Sequence, residues 1–99
     1  MNPFIKEVKM ILDEDNFLTY KLKDGTEAGH CKYRMRYHNN HKGVFVEYIN
    51  VDHEYRRQGI GEELLYYLYK KYGPVYGEFV TAGGVALLNK FLRDYVYKQ

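Results

Sequence analysis

Ile49-Asn50-Val51-Asp52-His53-Glu54-Tyr55-Arg56-Arg57-Gln58-Gly59-Ile60-Gly61 runs from an apolar stretch, through a glycine-bearing turn, into the helix-forming segment 62–72. A turn with Gly59 and Gly61 lets backbone N–H groups approach an anion with no side chain in the way. The first turn of the following helix adds unpaired N–H groups at the positive end of its dipole. Arg56 and Arg57 set fixed charge beside those donors, and a guanidinium suits phosphate oxygens better than an ammonium does. The stretch reads as a phosphate-holding turn between a strand and a helix.

Outward from this turn, the periodicity assigns the neighbouring elements. Downstream, Leu64, Leu65, Leu68 and Tyr72 recur at helical spacing with Glu62, Glu63, Lys70 and Lys71 opposite, and Gly73-Pro74 ends the helix. Upstream, residues 44–51 are apolar apart from Glu47 and Asn50, the pattern of a strand covered on both faces. Val75, Gly77, Phe79 and Val80 suit a short strand over 74–80, and Leu88, Phe91, Leu92 and Tyr95 form the stripe of a second helix over 85–96, with 97–99 fraying.

On the N-terminal side, residues 27–37 alternate Lys32, Arg34 and Arg36 with Tyr33, Met35 and Tyr37, which predicts a half-buried strand with its cations on one face. Asp24-Gly25 joins it as a hairpin to a strand over 17–22, and 13–16 and 39–43 read as polar turns. Val8, Met10 and Leu12 alternate as a strand over 5–12. Asn2-Pro3 with Phe4, Val8 and Ile11 also fits a helix start, and strand is favoured. The sum is an α+β fold on a mixed, α/β-type sheet: four mainly antiparallel strands, then helix, parallel strand, helix. The glycine turn stands at the C-terminal end of strand four, where open sheets bind ligands.

Composition bounds the function classes. Ninety-nine residues make one domain over 1–99, and 45% hydrophobic with 17% aromatic residues argues for a folded core. A formal charge of +2 does not by itself argue for nucleic acid. No segment reaches the roughly 20 apolar residues of a membrane span. The lone Cys31 and the start Met-Asn-Pro-Phe-Ile-Lys, which lacks a signal layout, lead us to expect a cytoplasmic protein with no membrane association.

The run 51–61, with its preceding apolar strand and following helix, resembles the acetyl-CoA signature of the GNAT superfamily of N-acetyltransferases, Arg/Gln-x-x-Gly-x-Gly/Ala. The resemblance spans about 17–96 and implies a small, truncated GNAT-like fold. It implies that amides of Arg57, Gln58, Gly59, Ile60, Gly61 and Glu62 cradle the CoA pyrophosphate, beside Arg56. Backbone groups of Ile49 and Val51 would pair with the pantetheine arm where strands four and five splay. It further implies a direct transfer of acetyl to a primary amine, which needs a base, an oxyanion donor and an acid for the thiolate. Two features depart from the family pattern. The last helix lacks the tyrosine that protonates the CoA sulfur, leaving Asn89 to hydrogen-bond there and Tyr95 to serve as acid only if the helix is displaced. The N-terminal helices that wall the acceptor site are missing too, so that side is open or completed by a second subunit.

Each candidate side chain has a plainer reading beside the functional one. Glu47, read on one strand face with Ile49 and Val51, is the base candidate, because an apolar strand would raise its pKa; it would otherwise pair with Arg34 or Arg36. His53 can activate a water, or be a solvated loop histidine. Cys31 reads as a small buried hydrophobe before an acyl carrier. His38 and His41 lack further metal ligands, and no metal is expected. Alternation puts Lys32, Arg34 and Arg36 opposite Tyr33 and Tyr37, which argues against a nucleic-acid surface, where rings and cations share a face. The leading expectation is an acetyl-CoA-dependent N-acetyltransferase acting on a protein lysine, an N-terminus or a small amine. The alternatives are a catalytically degenerate acyl-CoA-binding regulatory module and a small protein- or nucleic-acid-interaction domain. Exposed strand one, with Tyr95 and Tyr97, leaves apolar surface for a homodimer.

Overall fold

The fold begins at a tight hairpin. Asp15 and Asn16 both take positive φ, 53° and 62°, the paired left-handed conformation of a two-residue turn whose twist matches the flanking strands. The turn expected over 13–16 therefore shrinks to two residues, and Asp13 and Glu14 join the strand before it. The computed structural model describes residues 10–38, 40–77 and 82–96. Within them lie β1 (Met10–Glu14), β2 (Phe17–Lys21), β3 (Glu27–His38), β4 (His41–Val51), α1 (Ile60–Tyr72), β5 (Val75–Gly77) and α2 (Ala82–Phe91), which passes into a π-helical turn at Leu92–Val96. The expected strand residues 5–9 and 78–80, and the tail 97–99, lie outside the described residues.

One mixed sheet in the order β1-β2-β3-β4-β5 carries the architecture. The first four strands pair antiparallel and β5 joins β4 in parallel, with α1 as the crossover. At the β2–β3 turn, Gly25 sits at φ 90° while the Asp24 carboxylate accepts the Thr26 N–H at 2.9 Å. Gly73 closes α1 at φ 104°, its N–H donating to the Tyr69 carbonyl at 3.1 Å, and Pro74 follows.

Leu64, Leu65 and Leu68 of α1 are fully buried against Leu18, Cys31, Tyr33, Val44 and Val46 of the sheet. Each leucine so buried contributes roughly 1.5–3 kcal/mol. α2 packs beside α1, placing the buried Phe91 edge-on against Tyr69 at 6.0 Å between ring centroids. Of the apolar face expected for β3, Tyr33 is buried and Met35 half-buried, whereas Tyr37 is 70% exposed. The strand runs past the helix that covers it.

β4 differs from its expected form in a way that bears on the site. Lys32 pairs with Tyr48 and Tyr33 with Val46, so Glu47 is an extra residue on β4, a β-bulge. Directly paired residues share a sheet face. Val46 opposite the buried Tyr33 and Ile49 opposite the buried Cys31 therefore both face α1, and the inward set changes from Val44 and Val46 to Ile49 and Val51. Glu47 no longer belongs to the alternation that placed it with Ile49 and Val51. The strand is not covered on both sides either, since Glu47, Tyr48 and Asn50 are exposed.

A carboxylate ties the sheet edge to the end of α1. Asp13 Oδ1 accepts from the Tyr33 hydroxyl at 2.5 Å, and Oδ2 accepts from Tyr72 at 2.7 Å, Lys71 Nζ at 3.0 Å and Tyr67 at 3.3 Å. Only 8% of its side chain is exposed. Burial works to raise the pKa of Asp13, but the hydrogen bonds from Tyr33, Tyr72 and Lys71 outweigh it and hold the carboxyl below its ordinary value.

Asp13→Asn should therefore cost about 1.5–3 kcal/mol at pH 7, the range for hydrogen bonds to a charged group. Since the folded-state pKa is depressed, this contribution is complete above the ordinary carboxylate pKa and is lost as pH falls through the folded value. Urea unfolding of both proteins from pH 7 to pH 3 should show the gap between them closing on the acid side.

Candidate functional site

The end of β4 leads directly into the site. The Asp52 N–H donates to the Ala28 carbonyl at 2.8 Å, carrying the β3–β4 pairing one step past the strand, and His53–Tyr55 then form a single 3₁₀ turn. Arg57 at φ 66° and Gly59 at φ 82° both adopt left-handed backbone, which for arginine costs roughly 1–2 kcal/mol. Gly59 is the N-cap of α1, and no side chain caps the helix. The first-turn N–H groups of Ile60, Gly61 and Glu62 have no intrahelical acceptor and stand at the positive end of the dipole.

These residues form one wall of an open groove of about 830 Å³. Ile49, Asn50 and Val51 form its strand side, Tyr55, Arg56 and Arg57 its turn, and Gly83, Gly84, Ala86, Leu87 and Lys90 of α2 its far side. The starts of two helices thus converge on the same space, α1 at Gly59 to Glu62 and α2 at Gly83 and Gly84. The groove can hold an extended ligand with an anionic end: apolar and main-chain surface along β4, N–H donors and cations at the turn.

The two glycines of the turn serve different ends. A Cβ on Gly59 would meet nothing within 4 Å, so that position needs glycine for its backbone angle; a Cβ on Gly61 would lie 2.8 Å from Leu87 Cδ2, so there the missing side chain lets α2 close on α1. Arg56 is less free than its sequence position suggested. Its Nε donates to the Val51 carbonyl at 3.0 Å, engaging one of the backbone groups expected to meet an extended ligand. Lys90 forms an ion pair with Glu62 in the first turn of α1, and Asp94 lies 3.8 Å from it.

Of the residues singled out from the sequence, Ile49, Val51, Arg56, Arg57, Gly59, Ile60, Gly61 and Glu62 line the groove. Gln58, Glu47, His53 and Asn89 do not line it, and all four are exposed. Glu47 sits on the bulge with its carboxylate 3.9 Å from Lys32 Nζ, not in the apolar surroundings expected, nor paired with Arg34 or Arg36. Those arginines instead stand over the ring of Phe45. Tyr95 belongs to the π-helical turn, and its side chain lies outside the described residues. Cys31 is fully buried, its thiol pushed up to about 12 by burial, so it has no thiolate to offer at neutral pH. Among the described residues no group of three or more His, Cys, Asp or Glu could hold a metal, and no helix is long and apolar enough to cross a membrane. Asn50, Tyr55, Gly83, Gly84, Ala86, Leu87 and Lys90 were not picked out from the sequence. The Gly83-Gly84 pair is the signal that could have marked the second helix start.

The profile of the acetyltransferase (GNAT) family matches residues 3–80. No curated protein matches the chain. Among solved structures, the fold is similar to the crystal structure of an aminoglycoside acetyltransferase from an uncultured soil metagenomic sample, in complex with trehalose, with a TM-score of 0.56 at 22% identity. The match covers 89% of this chain and 62% of that one, so this chain spans under two thirds of its neighbour's length.

Gly59→Ala should cost about 1 kcal/mol or more through its backbone angle alone, and a Leu87→Ala background should not relieve it. Gly61→Val should cost about 1–3 kcal/mol through overpacking, and the same background should relieve much of it. Double-mutant cycles on thermal or urea unfolding distinguish the two.

Proposed function

Because the chain belongs to the acetyltransferase (GNAT) family, we propose that it is an acetyl-CoA-dependent N-acetyltransferase that passes acetyl directly to a primary amine. The observation that carries this reading is the uncapped start of α1, with left-handed Gly59 and Arg57 beside it, opening on a groove whose other wall is the inward edge of β4. The residues fit the donor. The N–H groups of Ile60, Gly61 and Glu62, with the Arg57 guanidinium, would take the diphosphate, while Ile49 and its neighbours would take the pantetheine arm.

Bound there, acetyl-CoA supplies an activated thioester carbonyl. The protein's part is to hold it, keep the groove narrow through the Gly61–Leu87 contact, and leave the thioester end of the pantetheine arm, away from the phosphate turn, open to the amine. Lys90 neutralises Glu62 at the mouth of the groove, so that carboxylate does not repel the phosphates. The base candidate is Glu47, the sole carboxylate on β4, which its bulge sets on the face away from α1, so it would serve an amine that reaches the thioester from that side. The acceptor class is a protein lysine, an N-terminus or a small amine. A second reading, a catalytically silent acyl-CoA-binding module, is favoured by one observation: Glu47, His53 and Asn89 do not line the groove.

Calorimetry with acetyl-CoA should show binding, weakened about tenfold or more in Arg57→Ala, the worth of one charge-assisted hydrogen bond; no heat at high micromolar ligand would end both readings. Free-thiol release with a panel of amines then separates them. Turnover that falls in Glu47→Gln with acetyl-CoA affinity intact supports the transferase with Glu47 as base. Unchanged turnover clears Glu47 of that role, and binding without turnover leaves the regulatory module.

A further inference from the structure

The face of the sheet turned away from α1 is lined by rings and cations together. Alternation within β3 separates Lys32, Arg34 and Arg36 from Tyr33, but cross-strand register supplies other rings to the cationic side. Lys32 stands opposite Phe17 on β2 and Tyr48 on β4, Arg34 stands opposite Phe45, and Phe45 stands opposite Tyr76 on β5.

These side chains are braced on one another. Arg34 and Arg36 hold their guanidinium carbons 4.8 and 5.4 Å from the Phe45 ring centroid. Phe17 stacks on His30 at 5.4 Å with 18° between planes, and His30 meets Tyr48 edge-on at 5.8 Å. Gly43 leaves room for the Tyr76 ring, which lies 2.6 Å from where a Cβ would stand. Tyr48 and Tyr76 nevertheless remain 45% and 47% exposed.

We propose that this open face binds single-stranded nucleic acid, with Tyr48 and Tyr76 stacking on bases and Lys32, Arg34 and Arg36 meeting phosphates. Rings held rigid at the surface beside guanidinium groups are what unpaired bases on an anionic backbone require. A duplex would use only the cations, because its bases are already stacked, and an acidic peptide would leave the rings unused. A second copy of the chain would bring like charge against like. The carboxylates on this side, Glu14, Glu27 and Glu47, are fewer than the cations Lys21, Lys32, Arg34 and Arg36, and Glu47 lies against Lys32. Apart from Asn50, the residues that line the acyl-donor groove lie off this face, so acetyl-CoA binding and single-strand binding can each fail without the other.

Fluorescence anisotropy with a labelled oligothymidine of about twelve nucleotides, the same oligonucleotide as a duplex, and poly-glutamate tests the proposal. The single strand should bind best, and three phosphate contacts should give a slope of log affinity against log salt of about −2. Tyr48→Ala and Tyr76→Ala should each weaken binding about tenfold, and Arg34→Gln should reduce the slope by about 0.7, with circular dichroism melts confirming that each variant is folded. No single-strand binding at about 100 µM protein in low salt, equal affinity for duplex or poly-glutamate, or full affinity in both folded tyrosine variants would overturn it. Sedimentation showing self-association that Tyr48→Ala abolishes would also overturn it, by assigning the face to a second copy.

Discussion

The structure turns on how the first N–H groups of α1 are left. Helix starts in folded proteins are usually satisfied by a Ser, Thr, Asp or Asn side chain, and here the N-cap is a left-handed glycine that offers none. The same glycine sets the direction in which the helix leaves the sheet. A single backbone angle thus places α1 on the core and leaves its positive end facing an open groove. Leu64, Leu65 and Leu68 then hold the helix by burial, which lets its first turn remain unsatisfied by the chain itself.

The two ends of α1 are fixed by different means. At its start, contact is steric and tight, Gly61 against Leu87, so the separation of the helices sets the width of the groove between them. At its end, contact is polar and multiple, with Tyr67, Lys71 and Tyr72 meeting Asp13. Packing near the groove and charge away from it divide the work, so acid would loosen the far end of the helix without disturbing the contacts that shape the site.

Much of this was legible in the chain because it is local. The stretch from Ile49 to Gly61 carries its own signals, apolar strand, paired glycines and helical leucine spacing, and the structure places eight of the proposed binding residues along one groove. What could not be read is non-local. Asp13 looks like a turn residue until it meets Tyr33, Tyr72 and Lys71, which lie 20, 59 and 58 residues away. Rings and cations seemed to part across β3, and only the register of β2, β4 and β5 returns other rings to the cationic side. Glu47 was misplaced for a related reason: an inserted residue leaves apolar alternation looking intact on either side while changing which positions face inward.

That extra residue fixes the phase between the two halves of β4. Before it, even-numbered side chains feed the core; after it, odd-numbered ones do, and Ile49 and Val51 reach the groove for that reason alone. The same residues paired in strict alternation, with no bulge, would present the bulky Tyr48 and the polar Asn50 where a slim apolar wall now stands. The irregularity is accordingly a spacer, keeping the half of the strand that holds the protein together in step with the half that meets a ligand.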